Sequence, residues 1–184
     1  MRITGGIHRS RPLKAPRGTA TRPTSDRVRE GLFGMLEARA LVRGARVLDL
    51  YAGTGALGLE ALSRGARHAT FVERGREALD ALGANVDALR ANAQARIVRS
   101  SVEGAGPRVG GPFELVLVDP PYADVPSGAV ARALMLLRDR LAPGATLVLE
   151  HASGDSPPEM CDFRRGESRR YGDTTLTFCE VAQS

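Results

Sequence analysis

Two cysteines, three histidines and no apolar run of membrane-spanning length narrow the chemistry open to this 184-residue chain before any motif is considered. Cys161 and Cys179 are too few for a disulfide framework and have neither CxxC nor His-partnered spacing, so inert thiols are expected, and neither a metal nor redox catalysis is. His8, His68 and His151 sit in no recognisable catalytic context, and each reads as a loop or surface residue. The opening Met1-Arg2-Ile3-Thr4-Gly5-Gly6-Ile7-His8-Arg9 has no apolar core of a signal peptide, and no later stretch nears the ~20 apolar residues of a membrane span. A cytoplasmic protein without a membrane partner is therefore expected. There is no internal repeat, and the length suits one domain around one core, with a monomer favoured. Hydrophobic residues at 42% and charged residues at 26% exclude fibrous and wholly disordered classes.

Lysine is scarce as well, Lys14 being the single one, so arginine carries nearly all the positive charge. Residues 1–30 hold eight basic groups and two acids, whereas the chain as a whole is +5, so the rest sums to −1. Such an end-loaded surplus suits contact with a polyanion, because phosphate neutralisation supplies most sequence-independent affinity for nucleic acid. Arg9, Arg11, Lys14, Arg17 and Arg22 are the candidate contacts, on a basic arm spanning residues 1–23. A solvated basic tail would share that composition. The arm's Gly, Pro and Arg content allows a small hairpin between Arg2–Thr4 and Pro12–Lys14.

The remainder, residues 24–184, reads as one α/β domain with a docking helix at its start. Thr24 or Ser25 can cap a helix running to about Arg39, with Asp26 near the positive end of its dipole and an apolar stripe of Val28, Leu32, Met35 and Leu36. Short apolar runs then alternate with helical patterns, as βα units of a mainly parallel sheet do. Strands are expected at Val47–Leu50, Ala69–Glu73, Ala95–Val98, Phe113–Val118 and Thr146–Glu150. Helices are expected at Ala56–Arg64, Arg76–Asn92 and Val130–Leu141, the last stopped by Pro143-Gly144. Val102–Pro112 reads as a loop with at most one helical turn. Arg169–Tyr171 and Thr175–Val181, around Gly172-Asp173, read as an antiparallel hairpin closing one sheet edge.

The densest chemical signal is Asp49-Leu50-Tyr51-Ala52-Gly53-Thr54-Gly55-Ala56-Leu57-Gly58, where the first strand passes into a helix. Glycines there permit a tight turn, and the helix N-terminus adds partial positive charge beside a bound ligand. Twenty positions after Gly53, Glu73 stands at the tip of the second strand, where an acid can accept hydrogen bonds from ribose hydroxyls. The pattern also satisfies the dinucleotide fingerprint, so the glycines alone leave NAD and S-adenosylmethionine equally open. Asp49 favours the methyl donor: an acid before the first glycine repels a pyrophosphate but can orient a cationic amino-acid moiety. The candidate donor site is Asp49, Ala52, Gly53, Thr54, Gly55, Glu73 and Arg74.

The second signal is Asp119-Pro120-Pro121-Tyr122, directly after the fourth strand. Ligands of open α/β sheets bind beyond the carboxyl ends of the strands, so this tetrad should face the same crevice as the glycines. An exocyclic amine on a base is a poor nucleophile because its lone pair is delocalised into the ring. A carboxylate at Asp119 and a carbonyl at Pro120 can hold its two hydrogens and aim the lone pair at a methyl group. The prolines supply carbonyls in a rigid frame, and Tyr122 can stack on a base turned out of its helix. Asp119, Pro120 and Tyr122 are the candidate catalytic residues. A strand-terminating turn with a surface tyrosine is the plain alternative for Asp-Pro-Pro alone.

With both motifs in hand, the sequence resembles the bacterial 16S ribosomal RNA guanine-N2 methyltransferases of the RsmD type. The likeness runs nearly end to end. It includes Met1-Arg2-Ile3, Gly6, Arg11-x-Leu13, Pro16-x-Gly18, Thr21-Arg22-Pro23-Thr24-x-Asp26-Arg27-Val28-Arg29-Glu30-x-Leu32-Phe33, the two central motifs, and Arg170-Tyr171-Gly172-Asp173-Thr174. The resemblance implies a Rossmann-like class I methyltransferase, its mainly parallel sheet ending in a C-terminal antiparallel hairpin. It also implies S-adenosylmethionine as cofactor and 16S ribosomal RNA in the small subunit as partner. Thr21 to Arg29 would act as a lid near the methionine end of the donor, with Thr24 a contact. Where such proteins carry an acid after the third strand to hold the adenine amino group, this chain has Ser100-Ser101, and Ser101 becomes the candidate substitute.

Rival functions remain. A DNA adenine or cytosine amino-methyltransferase shares Asp-Pro-Pro-Tyr, but 184 residues leave no room for a dedicated target-recognition domain. A protein glutamine methyltransferase typically has Asn where Asp119 stands. A non-catalytic nucleic-acid-binding module is the reading from another class, and donor binding would separate it.

Overall fold

In the computed structural model, which describes residues 1–16, 25–159 and 162–182, the alternating segments form one seven-stranded sheet with helices on both faces. The strands are β1 (Arg46–Leu50), β2 (His68–Glu73), β3 (Ala95–Arg99), β4 (Phe113–Val118), β5 (Leu141–Ala152), β6 (Phe163–Tyr171) and β7 (Thr174–Val181). Their order across the sheet is β3-β2-β1-β4-β5-β7-β6. The first five pair with one another in parallel, whereas β7 runs antiparallel to both β5 and β6. This is the mainly parallel, Rossmann-like sheet with a C-terminal antiparallel hairpin that the resemblance implies. The hairpin is longer than its sequence signals, and β7 rather than β6 joins the parallel block.

The helices are α1 (Asp26–Ala38), α2 (Ala56–Ser63), α3 (Arg76–Ala88), α4 (Gly106–Val109) and α5 (Ala129–Leu137). One apolar cluster gathers α1, α2 and α3 against one face of the sheet, and a second sets α4 and α5 against the other. Such two-sided cover explains why β1 and β4 read as near-continuous apolar runs. Ser25 caps α1, its hydroxyl accepting from Val28 N at 3.2 Å. The buried stripe of α1 is Val28, Leu32, Phe33 and Leu36, with Met35 only half-buried.

The helix expected through Leu141 stops at Leu137, passes through a tight 3-10 turn at Arg138–Arg140, and becomes β5 at Leu141. Pro143-Gly144 therefore lies inside a strand, not after a helix. A register irregularity between Phe113 and Leu115, where β5 joins β4, accommodates them.

Residues 1–13 fold onto the domain. Arg2 and Pro12 form an antiparallel bridge, and Ile3 and Leu13 are buried in the first apolar cluster. The anchor is Glu60 on α2, whose carboxylate accepts from Thr4 N, Thr4 Oγ1 and Gly5 N, each at 2.8 Å. Glu60 also binds Arg29 Nε at 3.3 Å and Arg64 Nε at 2.8 Å. Arg29 also reaches the Arg2 carbonyl and Asp26, so two fully buried charges join the N-terminal segment, α1 and α2.

Candidate functional site

β1 lies between β2 and β4, and the chain leaves it in both directions across the sheet. A crevice opens at such a switch point, beyond the carboxyl ends of the strands. A cavity of about 690 Å³ occupies it, within the range of small-molecule and cofactor sites. Its wall includes Asp49, Ala52, Gly53, Thr54, Glu73, Arg74 and Ser101 together with Asp119, Pro120 and Tyr122. Both sequence motifs thus meet in one hollow.

The turn after β1 is built from left-handed backbone at Tyr51, Gly53 and Gly55, and closes with a bond from Gly55 N to the Ala52 carbonyl at 2.7 Å. Gly55 does not line the cavity. A Cβ there would stand 2.3 Å from Leu82 Cδ1, so this glycine serves the packing of the turn on α3. At Gly58 a Cβ would meet Phe71 Cε1 at 2.3 Å, and its bare backbone lets Gly58 N donate to Asp49 Oδ2 at 2.8 Å.

Asp49 is 1% exposed, yet it borders the cavity. Burial raises its pKa well above the ordinary carboxylate value, the Gly58 N–H opposes this, and the negative charges of Asp119 and Glu73 add to the rise. Acids outnumber the two lining arginines, Arg74 and Arg76, so the cavity favours a cationic group beside Asp49. Glu73 spans the crevice floor: Oε2 accepts from Gly53 N at 2.8 Å, and Oε1 from Arg74 N at 2.8 Å and Gly75 N at 2.7 Å. It ties the glycine turn to the end of β2, and Oε2, with one acceptance, keeps lone-pair capacity for a ligand. Ser101, after β3, accepts from Gly104 N at 3.3 Å.

After β4, Asp119 N donates to the Leu50 carbonyl at 3.4 Å, joining the tetrad to the end of β1. Pro120 is buried, whereas Pro121 and Tyr122 are exposed at the rim. The Tyr122 hydroxyl lies 3.0 Å from Thr174 Oγ1, so the tetrad is also tied to the hairpin turn between β6 and β7.

Tyr51, Asp124 and Glu150 line the cavity too, and no sequence signal singled them out. The Tyr51 hydroxyl is buried without a hydrogen-bond partner among the described residues, and burial, with Glu103 and Asp124 nearby, pushes its pKa up to about 12. A ligand polar group can satisfy it.

Arg9 and Arg11 are exposed and away from the cavity wall, on the segment anchored by Glu60. Lys14 is exposed as well, while its backbone exchanges hydrogen bonds with the Asn85 amide at 2.7 and 3.1 Å. Met1 and Pro16, at the two ends of that segment, reach the cavity. Arg17, Arg22, Thr24 and Cys161 lie outside the described residues. His151 is not a surface residue: it is buried in β5 with Nε2 2.9 Å from Thr177 Oγ1. Cys179 is buried in β7, and desolvation pushes its thiol pKa up. Among the described residues, no group of His, Cys, Asp and Glu could hold a metal ion, and no helix is long and apolar enough to cross a membrane.

Comparison with known proteins places this geometry among relatives. The family described as conserved hypothetical protein 95 matches residues 1–180. A Bacillus subtilis protein provisionally named rRNA methyltransferase YlbH is 37% identical over 182 residues, covering 95% of each chain. The Escherichia coli protein named ribosomal RNA small subunit methyltransferase D is 41% identical over 152 residues, covering 82% of this chain and 74% of its own. A solved Escherichia coli structure, provisionally named methyltransferase yhhF, superposes with a TM-score of 0.86 at 35% identity, over 100% of this chain and 99% of its own.

Proposed function

Since this chain belongs to the family described as conserved hypothetical protein 95, that of the RsmD-type small-subunit ribosomal RNA methyltransferases, we propose that it methylates the exocyclic N2 of a guanine in 16S ribosomal RNA. The observation that carries this reading is one cavity lined by Asp49 and Glu73 together with the Asp119–Tyr122 tetrad. An acid-lined cavity of about 690 Å³ with a buried Asp49 suits a cationic ligand of nucleoside and amino-acid parts, which S-adenosylmethionine is. In that fit Asp49 faces the cationic end, Glu73 the ribose, Ser101 the adenine and the Tyr51 hydroxyl a polar group of the ligand. When bound, that cofactor supplies an electrophilic methyl group.

Everything else is orientation by the chain. The Asp119 carboxylate and the Pro120 carbonyl accept the two amine hydrogens and turn the nitrogen lone pair toward the cofactor side of the cavity. Positive charge that develops on nitrogen is stabilised by the same carboxylate in a partly desolvated cleft. Tyr122, half open at the rim with its hydroxyl held by Thr174, offers its ring face to the base. The basic arm with Arg9, Arg11 and Lys14 binds phosphates away from the reacting centre.

The test is incubation of the protein with labelled S-adenosylmethionine and small ribosomal subunits from a strain lacking the modification. N2-methylguanine in the digested RNA is expected. Label only in other nucleosides, or faster transfer to a DNA duplex, overturns the reading.

A further inference from the structure

The cavity and the arm leave one charged feature without a role, at the far border of the sheet. β6 is the edge strand, and it places Arg164, Arg165, Arg169 and Arg170 within nine residues that hold a single acid, Glu167. All residues between Phe163 and Tyr171 are exposed. Charged side chains on an edge strand discourage its pairing with another chain. Four arginines make a positive stripe beyond that need.

The two faces of the stripe differ. Arg164 pairs with Glu180, and Arg169 Nε meets Glu167 Oε1 at 2.7 Å, so acids neutralise that side. Arg165 stands opposite Cys179 and Arg170 opposite Thr175; those two β7 residues point to one side of the sheet, and directly opposed residues share a face, so the two arginines project together on that side. Arg165 has no acid partner among the described residues. Arg170 uses Nε on the Gly172 carbonyl at 2.9 Å, which fixes the side chain and leaves its terminal nitrogens to donate elsewhere.

The stripe also joins the site. Thr174, at the end of the same hairpin turn, holds Tyr122 at the cavity rim. Arg170 therefore stands near the mouth, and Arg165 lies roughly 15 Å farther along the strand, at about 3.3 Å per residue.

We propose that Arg165 and Arg170, on the open face of edge strand β6, grip the phosphodiester backbone of the RNA whose base enters the cavity. This is a contact surface separate from the N-terminal arm, and it rests on the reading of the substrate as RNA. Planar guanidinium forks suit bidentate contact with phosphate oxygens.

The experiment compares wild type, the double variants Arg165→Glu/Arg170→Glu and Arg165→Gln/Arg170→Gln, and Arg67→Glu, an exposed arginine just before β2 at the amino-terminal edge of the sheet. Steady-state methylation of small subunits is measured at several salt concentrations, alongside calorimetric affinity for S-adenosylmethionine, which also reports folding. The Glu pair should raise KM for subunits about tenfold or more and lower the slope of log affinity against log salt by about 2. The Gln pair should lower that slope similarly with a smaller KM rise, while Arg67→Glu and all donor affinities stay near wild type. Wild-type turnover with an unchanged KM in both pairs overturns the role of β6 while sparing the proposed function. Wild type that methylates no subunit overturns both.

Discussion

The hydroxyls of Tyr122 and Thr174 lie 3.0 Å apart, bridging the loop after β4 and the turn of the terminal hairpin across the intervening strand β5. Thr174 is buried and Tyr122 is 37% exposed, so the bond holds a rim side chain from a fixed point. Thr174→Val removes the bond at nearly constant shape. Loss of one net hydrogen bond, about 0.5–1.5 kcal/mol, should lower kcat on small subunits roughly two- to tenfold with donor affinity unchanged. Thr174→Ser should restore it, and Tyr122→Phe combined with Thr174→Val should be no worse than either alone. Additive losses would show that the two side chains act separately.

Asp49 sets a pH dependence. Its folded-state pKa is raised above the ordinary 3.8, chiefly by burial, so the folded protein holds this proton more tightly than the unfolded chain. Stability from this group is therefore greatest at low pH and declines as pH rises above 3.8 toward the folded value. Asp49→Asn, which cannot ionise, should raise the melting temperature of the ligand-free protein at pH 7 and change it less near pH 4. A cationic donor needs the ionised form, so wild-type donor affinity should rise with pH, whereas the Asn variant should bind about tenfold or more weakly and show a flat profile. Equal donor affinity in both proteins, by calorimetry at two pH values, would remove Asp49 from the donor site.

The glycine turn and the aspartate-proline tetrad were legible because each follows a short apolar strand, and both signals are local. Asp49 and Gly58 were in view as motif letters, though not as a bonded pair. Other features left no local trace. Phe163–Tyr171 has no apolar alternation, since an edge strand with both faces exposed imposes none, and only its last residues read as strand. Pro143-Gly144 marks a helix stop in sequence, yet a register irregularity in the β4–β5 pair admits it to a strand. Arg29 and Glu60 look like solvated helix charges until the fold buries them against each other. Pairing between residues 31 positions apart is set by tertiary packing, beyond the reach of periodicity.

Gly58 reverses an ordinary expectation. Alanine normally stabilises a helix relative to glycine by about 0.5–1 kcal/mol. Here the added Cβ would stand 2.3 Å from Phe71 Cε1 and 3.0 Å from Asp49 Oδ2, both in buried residues. Gly58→Ala should therefore destabilise by about 1–3 kcal/mol, the usual cost of overpacking, and weaken donor binding by displacing Asp49. Denaturant melts check the first part and calorimetry the second; a more stable variant would mean that the Phe71 ring moves aside freely.

Glu60 offers the largest stability effect. It accepts from Thr4, Gly5, Arg29 and Arg64, and Arg29 is fully buried beside it. Removing one partner of a buried pair leaves an under-compensated charge, at a cost of about 3–5 kcal/mol. Glu60→Ala should lose that much in urea denaturation and expose residues 1–13 to proteolysis at lower denaturant than the rest. A loss below 1 kcal/mol would show that water or the Asp26 contact replaces Glu60.

Asp119 separates binding from chemistry. In the proposed arrangement it faces the amine and not the donor, so donor affinity of Asp119→Asn should stay within about twofold of wild type or rise slightly as one negative charge leaves the neighbourhood of Asp49. Its amide keeps one acceptor for an amine hydrogen but cannot stabilise positive charge developing on nitrogen. Removal of a group aimed at transition-state charge costs about 10²–10³ in kcat. Single-turnover transfer to small subunits, measured with donor saturating, should fall by that factor in Asp119→Asn and further in Asp119→Ala. If both variants turned over at the wild-type rate, the amine would have to be held by another group lining the cavity, and the role assigned to Asp119 would fall.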